Sequence, residues 1–401
     1  MPWRESCCVD ERLGLIADWL EGEWTVVELC ERYAVSRKTA YKWIERYREG
    51  GPAGLASRSS APLRHGRATS EAVTAAILAQ KAARPSWGPR KIVAWLERRH
   101  PQMLWPAAST AGAILQRAGL VRPRRRRHRA PATLGGLTLA ERPNHVWAAD
   151  HKGWIRLKDG TRCEPLTVSD NFSRYLIGLS AETSTAGQAA RPVFEQAFAE
   201  YGLPQVIRTD NGPPFAAPGV TGLTALSIWW ARLGIRHERI QPGRPQQNGR
   251  HERFHLTLKE AMEPPVGNLA QQAIRFARFR HDYNHERPHE ALGQVPPAEL
   301  YEPSARRLPR RLPKPEYPQD CDVRRVRSNG EIKWGGALIY VSSALAGELV
   351  AVQETEDGFC HLRFYDLTIG VIDTRQRRLR PAILAACGED RSPPLSPIYP
   401  V

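Results

Sequence analysis

Apolar residues recur at helical spacing through Val9, Leu13, Ile16, Ala17 and Leu20, and Gly22 closes that run. Thr25-Val26-Val27-Glu28 then has the pattern of a capping box and opens a second helix, with Val26, Leu29, Cys30 and Tyr33 facing inward. After a tight turn at Ala34-Val35, Ser36 is placed to cap a third helix whose inward stripe is Ala40, Trp43, Ile44 and Tyr47. Its outward side carries Arg37, Lys38, Thr39, Tyr41 and Lys42. A helix, a short turn and a helix with basic and polar first turns suit a helix-turn-helix DNA reader. Arg and Lys reach phosphates, and short polar side chains reach base edges. Residues 1–60 are therefore expected to bind DNA, with a linker rich in Gly, Ser, Pro and Arg over 51–68.

Three further helices are expected within 61–121. The first carries Val73, Ile77 and Leu78. The second opens at Gly88-Pro89 and carries Ile92, Trp95 and Leu96. The third runs from Ser109 to Ala118, stopped by Gly119. A second helix-turn-helix-like unit fits, with Ser109, Thr110, Gln116 and Arg117 as its polar face. Six of the eight residues from Arg122 to Arg129 are Arg. Such a run repels itself, so 122–140 reads as an extended tether, with Arg124, Arg125, Arg126 and Arg127 against the DNA backbone or minor groove.

From 141 the pattern becomes mixed. Strands are expected over 144–155, with Val146, Ala148 and Asp150 on one face, and over 163–170, 174–180, 205–210 and 235–240. Helices are expected over 186–201, 223–233 and 248–262. In the last of these, Phe254, Leu258 and Ala261 form an apolar stripe opposite Asn248, Glu252, His255 and Lys259. Asp170 reads as the cap of the turn Asn171-Phe172-Ser173, and His237, His251 and His285 as surface residues. Residues 301–320, rich in Pro and Arg, read as a linker. Short β-rich runs within 321–381, with turns at Asn329-Gly330 and Asp357-Gly358, predict a small antiparallel barrel, and 382–401 a disordered tail. Arg324, Arg325, Arg327 and Lys333 would give that barrel a DNA-binding face.

Composition sharpens this layout. Of the 401 residues, 41% are apolar, and no run approaches the ~20 apolar residues of a membrane-spanning helix. Seven cysteines without a Cys-x-x-Cys pair argue against disulfides and cysteine-bound zinc, and for a reducing cytoplasm. The net charge is +16, and residues 1–140 alone hold 24 Lys and Arg against 12 Asp and Glu. Three quarters of the excess thus lies in the segments read as DNA readers, which makes nucleic acid the expected polyanion.

The ordered segments WAADHKGW, SDNFSRY, RTDNGPPF, PGRPQQNGRHERFHLTLK and YNHERPHEAL resemble the catalytic core of the retroviral-integrase superfamily. More narrowly, they resemble bacterial insertion-sequence transposases with helix-turn-helix units ahead of that core. The resemblance implies an RNase H-like α/β core over 141–300 within a multidomain chain: all-α units first, a β-barrel last. It implies a triad of Asp150, Asp210 and Glu252, both catalytic and metal-ligating, holding two Mg²⁺ ions with Mn²⁺ able to substitute. The implied activity is cleavage of transposon ends and joining of the 3′-hydroxyl to target DNA. The implied partners are those DNAs and at least a second copy of the chain, in the bacterial cytoplasm. Asn248 and His255 would orient substrate or water, and Lys259 would meet phosphate. One departure is the 41 residues between Asp210 and Glu252, where many members have 35; the extra length fits in the loop AAPGVTGL after Phe215. Two rival functions remain open at this point: a DNA-binding regulator with a relic core, and a nuclease that cuts without joining.

Overall fold

The computed structural model describes residues 8–57, 69–121, 136–241, 244–354 and 359–381. The chain divides into two compact units, Met1–Ser70 and Glu71–Val401.

In the first unit, α1 (Cys8–Glu21), α2 (Val26–Arg32) and α3 (Arg37–Gly50) pack around Leu15, Ile16, Leu29, Ala40, Trp43 and Ile44. Both expected caps form. Thr25 and Glu28 close a reciprocal capping box, and the Ser36 hydroxyl accepts from the Thr39 amide. The buried face of α1 differs from the expected one. Leu15 turns inward beside the expected Ile16, while Leu13 and Leu20 are exposed, and the Arg12 guanidinium lies 3.9 Å from the Trp43 ring centre. The linker is also shorter than expected: Gly51–Leu55 forms a 3-10 turn that buries Leu55 in this core.

The second unit begins with α4 (Glu71–Ala83), α5 (Pro89–Arg99) and α6 (Ala108–Arg117), packed on Ile77, Trp87, Ile92, Leu96, Ala111 and Leu115. The central part follows as β1 (Val146–His151), β2 (Ile155–Arg156), β3 (Arg162–Asp170), β4 (Leu176–Glu182), α7 (Gly187–Tyr201), β5 (Val206–Thr209), α8 (Ala225–Arg232), β6 (Arg236–Arg239), α9 (Gly249–Met262) and α10 (Leu269–His281). Its sheet runs β4-β3-β1-β5-β6, with the short β2 on the far end of β3. The β4-β3-β1 pairs are antiparallel and the β1-β5-β6 pairs parallel. Alternation along β1 divides its side chains. Trp147 and Ala149 pack beneath Phe194 and Phe198 of α7 and Trp229 and Trp230 of α8. On the other face lies a second cluster, in which Phe254, Leu258 and Met262 of α9 meet Leu176, Phe276 and Tyr283. Helix α10 has no counterpart in the sequence reading, although Asn268 caps it and Leu269, Phe276 and Phe279 share its inner side.

The C-terminal part contains β7 (Asp322–Arg325), β8 (Glu331–Trp334), β9 (Ala337–Tyr340), β10 (Leu349–Glu354), β11 (Cys360–Phe364), β12 (Leu367–Asp373) and β13 (Arg378–Arg380). The expected barrel is corrected to an open five-stranded sheet, β13-β12-β11-β10-β7, accompanied by the separate β8-β9 hairpin. That hairpin lies beside both edge strands without a hydrogen-bonded ladder to either, so the sheet does not close on itself. Gly330 does take the positive φ (83°) that the Asn329-Gly330 turn requires. The second predicted turn, Asp357-Gly358, and the tail at 382–401 lie outside the described residues. The sheet docks on the central part through apolar contact, with Leu223 and Ile228 buried in its core. The extra loop of the 41-residue spacing therefore leads directly into this junction.

Arg208 and Glu238, on neighbouring strands, form a buried ion pair at 2.7 Å, with side chains 5% and 13% exposed. Thr138 adds its backbone N–H and hydroxyl to the same carboxylate. Arg208→Ala is expected to destabilise the second unit by ~3 kcal/mol or more, because it strands a buried charge, and adding Glu238→Gln should recover part of the loss. Denaturant unfolding measures both, and a loss below ~1 kcal/mol would mean that water solvates Glu238.

Candidate active site

The parallel pairing of β1 with β5 sets the central geometry. Val146 lies opposite Val206, Trp147 opposite Ile207 and Ala148 opposite Arg208. Extending that register by two residues sets Asp150 beside Asp210, on strands that neighbour each other at ~4.8 Å. Asp210 follows the last residue of β5, and its Oδ1 accepts from the Gly212 amide at 3.1 Å, so the same residue also shapes the turn. Glu252 sits exposed in the first turn of α9. The Asp150 side chain is 19% exposed. Burial pushes its carboxyl up to about 7, and the charges of Asp210 and then Glu252 push the same way. Three carboxylates thus bear on one another at the end of the sheet.

The far side of Asp150 is built from β3 and α9. Thr167 is the register partner of Asp150, and its hydroxyl donates to the Asp150 carbonyl at 2.8 Å. The same oxygen lies 2.6 Å from His251 Nε2 and 2.8 Å from His255 Nε2. Ser169 Oγ lies 3.3 Å from His251 Nδ1. Both imidazoles are buried, and burial pushes His251 down to about 3 and His255 down to about 2, so both rings are neutral near pH 7. His255 Nδ1 lies 3.9 Å from Asp150 Oδ2. Asn248 Nδ2 donates to that oxygen at 3.4 Å.

Several expectations change here. The stripe Asn248, Glu252, His255 and Lys259 divides: Asn248 and His255 are buried, while Glu252 and Lys259 are exposed. His255 is therefore no DNA-facing residue, and His251 is no surface residue, since the inner face of α9 is His251, Phe254, His255 and Leu258. His237 is likewise drawn in, with Nε2 2.8 Å from the Thr209 hydroxyl. The side chain of Ala261 lies outside the described residues, as do Arg124, Arg125, Arg126 and Arg127. On α3, Arg37, Lys38, Tyr41 and Lys42 are exposed, whereas the Thr39 hydroxyl bonds Ser36 at 2.9 Å. Arg325 and Lys333 are exposed, but Arg324 pairs with Asp322 at 3.4 Å and lies over the Trp334 ring. Asp170 caps its turn, with Oδ2 accepting from the amide and hydroxyl of Ser173. Sequence reasoning missed Thr167 and the His251-His255 pair. The four-residue spacing on one helix was the available signal, but it acquires meaning only against β3.

This donor set fits a hard divalent cation. Asp150, raised by burial and by the nearby charges of Asp210 and Glu252, would offer such an ion oxygen ligands.

Models described as an integrase core domain match residues 140–245 and 233–297. A helix-turn-helix domain model matches 11–62, and a homeodomain-like domain model 39–115. The 39.2 kDa protein of insertion element IS476 from Xanthomonas euvesicatoria is 32% identical over 45% of this chain and 51% of its own length. The 31.7 kDa protein of insertion element IS407 from Burkholderia multivorans is 32% identical over 47% of this chain and 66% of its own. The chain thus spans between half and two thirds of these curated relatives. The catalytic core domain of HTLV-2 integrase, solved in complex with magnesium, is 19% identical with a TM-score of 0.32, over 41% of this chain and 100% of that one.

A carboxyl with a raised folded pKa keeps its proton longer when folded than the ~3.9 of an unfolded Asp allows. Without divalent cations, stability should therefore fall as pH rises from about 4 through about 7. Asp150→Asn removes that titration. The metal-free variant is expected to exceed wild type by up to ~4 kcal/mol at pH 8 and to match it near pH 4. Denaturant unfolding at both pH values tests this, and a variant less stable at pH 8 would contradict it.

Proposed function

Because this chain belongs to the integrase-core superfamily together with its insertion-element relatives, we propose that it is a DNA transposase. In this reading it cleaves transposon ends and joins the freed 3′-hydroxyl to target DNA. The observation that carries the reading is the parallel β1–β5 register, which sets Asp150 beside Asp210 at the end of the sheet, with Glu252 in the first turn of α9 close enough for its charge to act on Asp150. Such a group of acids asks for divalent cations. Asp150, Asp210 and Glu252 would hold two, Mg²⁺ or Mn²⁺, which supply charge neutralisation at phosphorus and ease deprotonation of the attacking oxygen.

The chain's own residues do the positioning. Asp150 is held from behind by Thr167 at its carbonyl and by Asn248 at Oδ2. Lys259, exposed two turns beyond Glu252, is available to a DNA phosphate. In the first step water forms a bond to phosphorus at the transposon end, and the 3′-oxygen leaves and takes up a proton. In the second that hydroxyl attacks a target phosphodiester, forming one P–O bond as another breaks. The exposed residues of α3 (Arg37, Lys38, Tyr41 and Lys42) would read DNA, with Arg124–Arg127 as a backbone tether and Arg325 and Lys333 as further contacts. Juxtaposing two ends needs at least a dimer. Among the described residues no helix is long and apolar enough to cross a membrane; in this reading the protein would act on DNA in the bacterial cytoplasm.

The test is a joining assay on DNA copied from the regions flanking the gene, with Mg²⁺ or Mn²⁺. Wild type should join, while Glu252→Gln should bind DNA and neither cut nor join. Cutting without joining would point to a nuclease, and binding with neither product to a regulator. Arg126→Ala should weaken DNA binding about equally on all sequences and lower the salt slope by ~1; a sequence-dependent loss would refute the tether.

A further inference from the structure

We propose that His255 is a nitrogen ligand of the metal centre, binding through Nδ1 the divalent cation that Asp150 Oδ2 binds. The inference rests on the metal-binding reading above and adds to it an imidazole.

Hydrogen-bond arithmetic at one oxygen carries the argument. A carbonyl only accepts, so the Thr167 hydroxyl must spend its single proton on the Asp150 carbonyl, 2.8 Å away. The same oxygen sits 2.6 Å from His251 Nε2 and 2.8 Å from His255 Nε2. With its proton committed, it can only accept from both rings, through its two lone pairs. Both imidazoles are thereby fixed in the Nε2–H form, and Nδ1 of each is a bare lone pair. For His251 the Ser169 hydroxyl lies 3.3 Å from that lone pair and can donate to it. For His255 the facing group is Asp150 Oδ2, at 3.9 Å. A lone pair and a carboxylate oxygen repel unless something positive lies between them. A cation bonded to each at ~2.1 Å can span up to about 4.2 Å, so 3.9 Å is within reach without moving either element.

The arrangement has the form of a buried metal-binding histidine: one nitrogen free toward the ion, the other anchored by a hydrogen bond that sets tautomer and ring orientation. The ligand atoms of Asp150, His251 and His255 all lie within 4.8 Å of one another, and His251 is distinguished by having both nitrogens engaged. An imidazole ligand shifts preference away from Mg²⁺, which favours oxygen, toward Mn²⁺ and later transition metals. This centre should therefore favour Mn²⁺ over Mg²⁺ by more than an all-carboxylate site does.

The experiment is pulsed electron paramagnetic resonance of Mn²⁺ bound to the full chain, without DNA. The spectrum should show coupling to one nitrogen. In protein grown with ¹⁵N-histidine the coupling should change to the ¹⁵N pattern, which identifies a histidine without any substitution. His255→Asn should lose the coupling, still bind Mn²⁺, and do so ~10-fold more weakly. Mn²⁺ bound with no nitrogen coupling would overturn the inference while leaving the carboxylate centre intact, and coupling that survives in His255→Asn would overturn it in favour of another ring. If wild type binds no Mn²⁺ at all, the metal-binding reading fails and the inference with it. The isotope measurement decides the matter even if His255→Asn does not fold.

Discussion

Two aspartates brought side by side by parallel strands repel each other, and the geometry around Asp150 answers to that repulsion. Its carboxyl is largely buried, faces the charges of Asp210 and Glu252, and is pushed up to about 7. Such a cluster costs the folded chain stability, a cost that a bound cation would offset. The β1–β5 register fixes the pair, since shifting it by one residue would turn one carboxylate to the opposite face. The apolar layers on both faces of the sheet, Trp147 with α7 and α8 on one and Phe254 with α10 on the other, hold that register. Arg208–Glu238 adds a buried charged pair beside it.

The appended parts attach by different physics. The C-terminal sheet shares an apolar core with α8 through Leu223 and Ile228, which suits a permanent junction. Helices α4–α6 instead meet the central part through charge: Arg84 with Asp282, Arg90 with Glu290 at 2.8 Å, Arg98 with Glu299, and Arg99 with Glu286 at 2.5 Å. Trp95 Nε1 also donates to Glu286 at 2.9 Å. These pairs are largely exposed and individually weak, and salt screens them.

Much of this was legible in the residues. The caps at Thr25 and Ser36, the stripe Ala40-Trp43-Ile44, the order of strands and helices through 262, and Asp170 as a turn cap all rest on local rules of spacing and hydrogen bonding. The proposed acids Asp150, Asp210 and Glu252 stand out through the ordered motifs around them, and the structure sets Asp150 on β1, Asp210 just past β5 and Glu252 in the first turn of α9. What misled was rotation about a helix axis. On α1, the expected stripe joined Leu13 and Leu20 to Ile16, where the structure buries Leu15 with Ile16. On α9, polarity suggested that His255 faced DNA.

The sequence alone determined the helices and strands as far as residue 262 and the basic bias of the first third, because caps, periodicity and charge are set by the residues themselves and their near neighbours. The tertiary structure alone decided that the C-terminal strands stay open, since closure depends on a ladder between β8-β9 and distant edges. It alone decided that His251 and His255 point inward, because their partner is one hydroxyl, Thr167, more than eighty residues earlier. A histidine on a helix can be solvent-facing, core or ligand with the same local spacing. Only the strand packed against it, and the number of protons and lone pairs that strand offers, distinguishes the three.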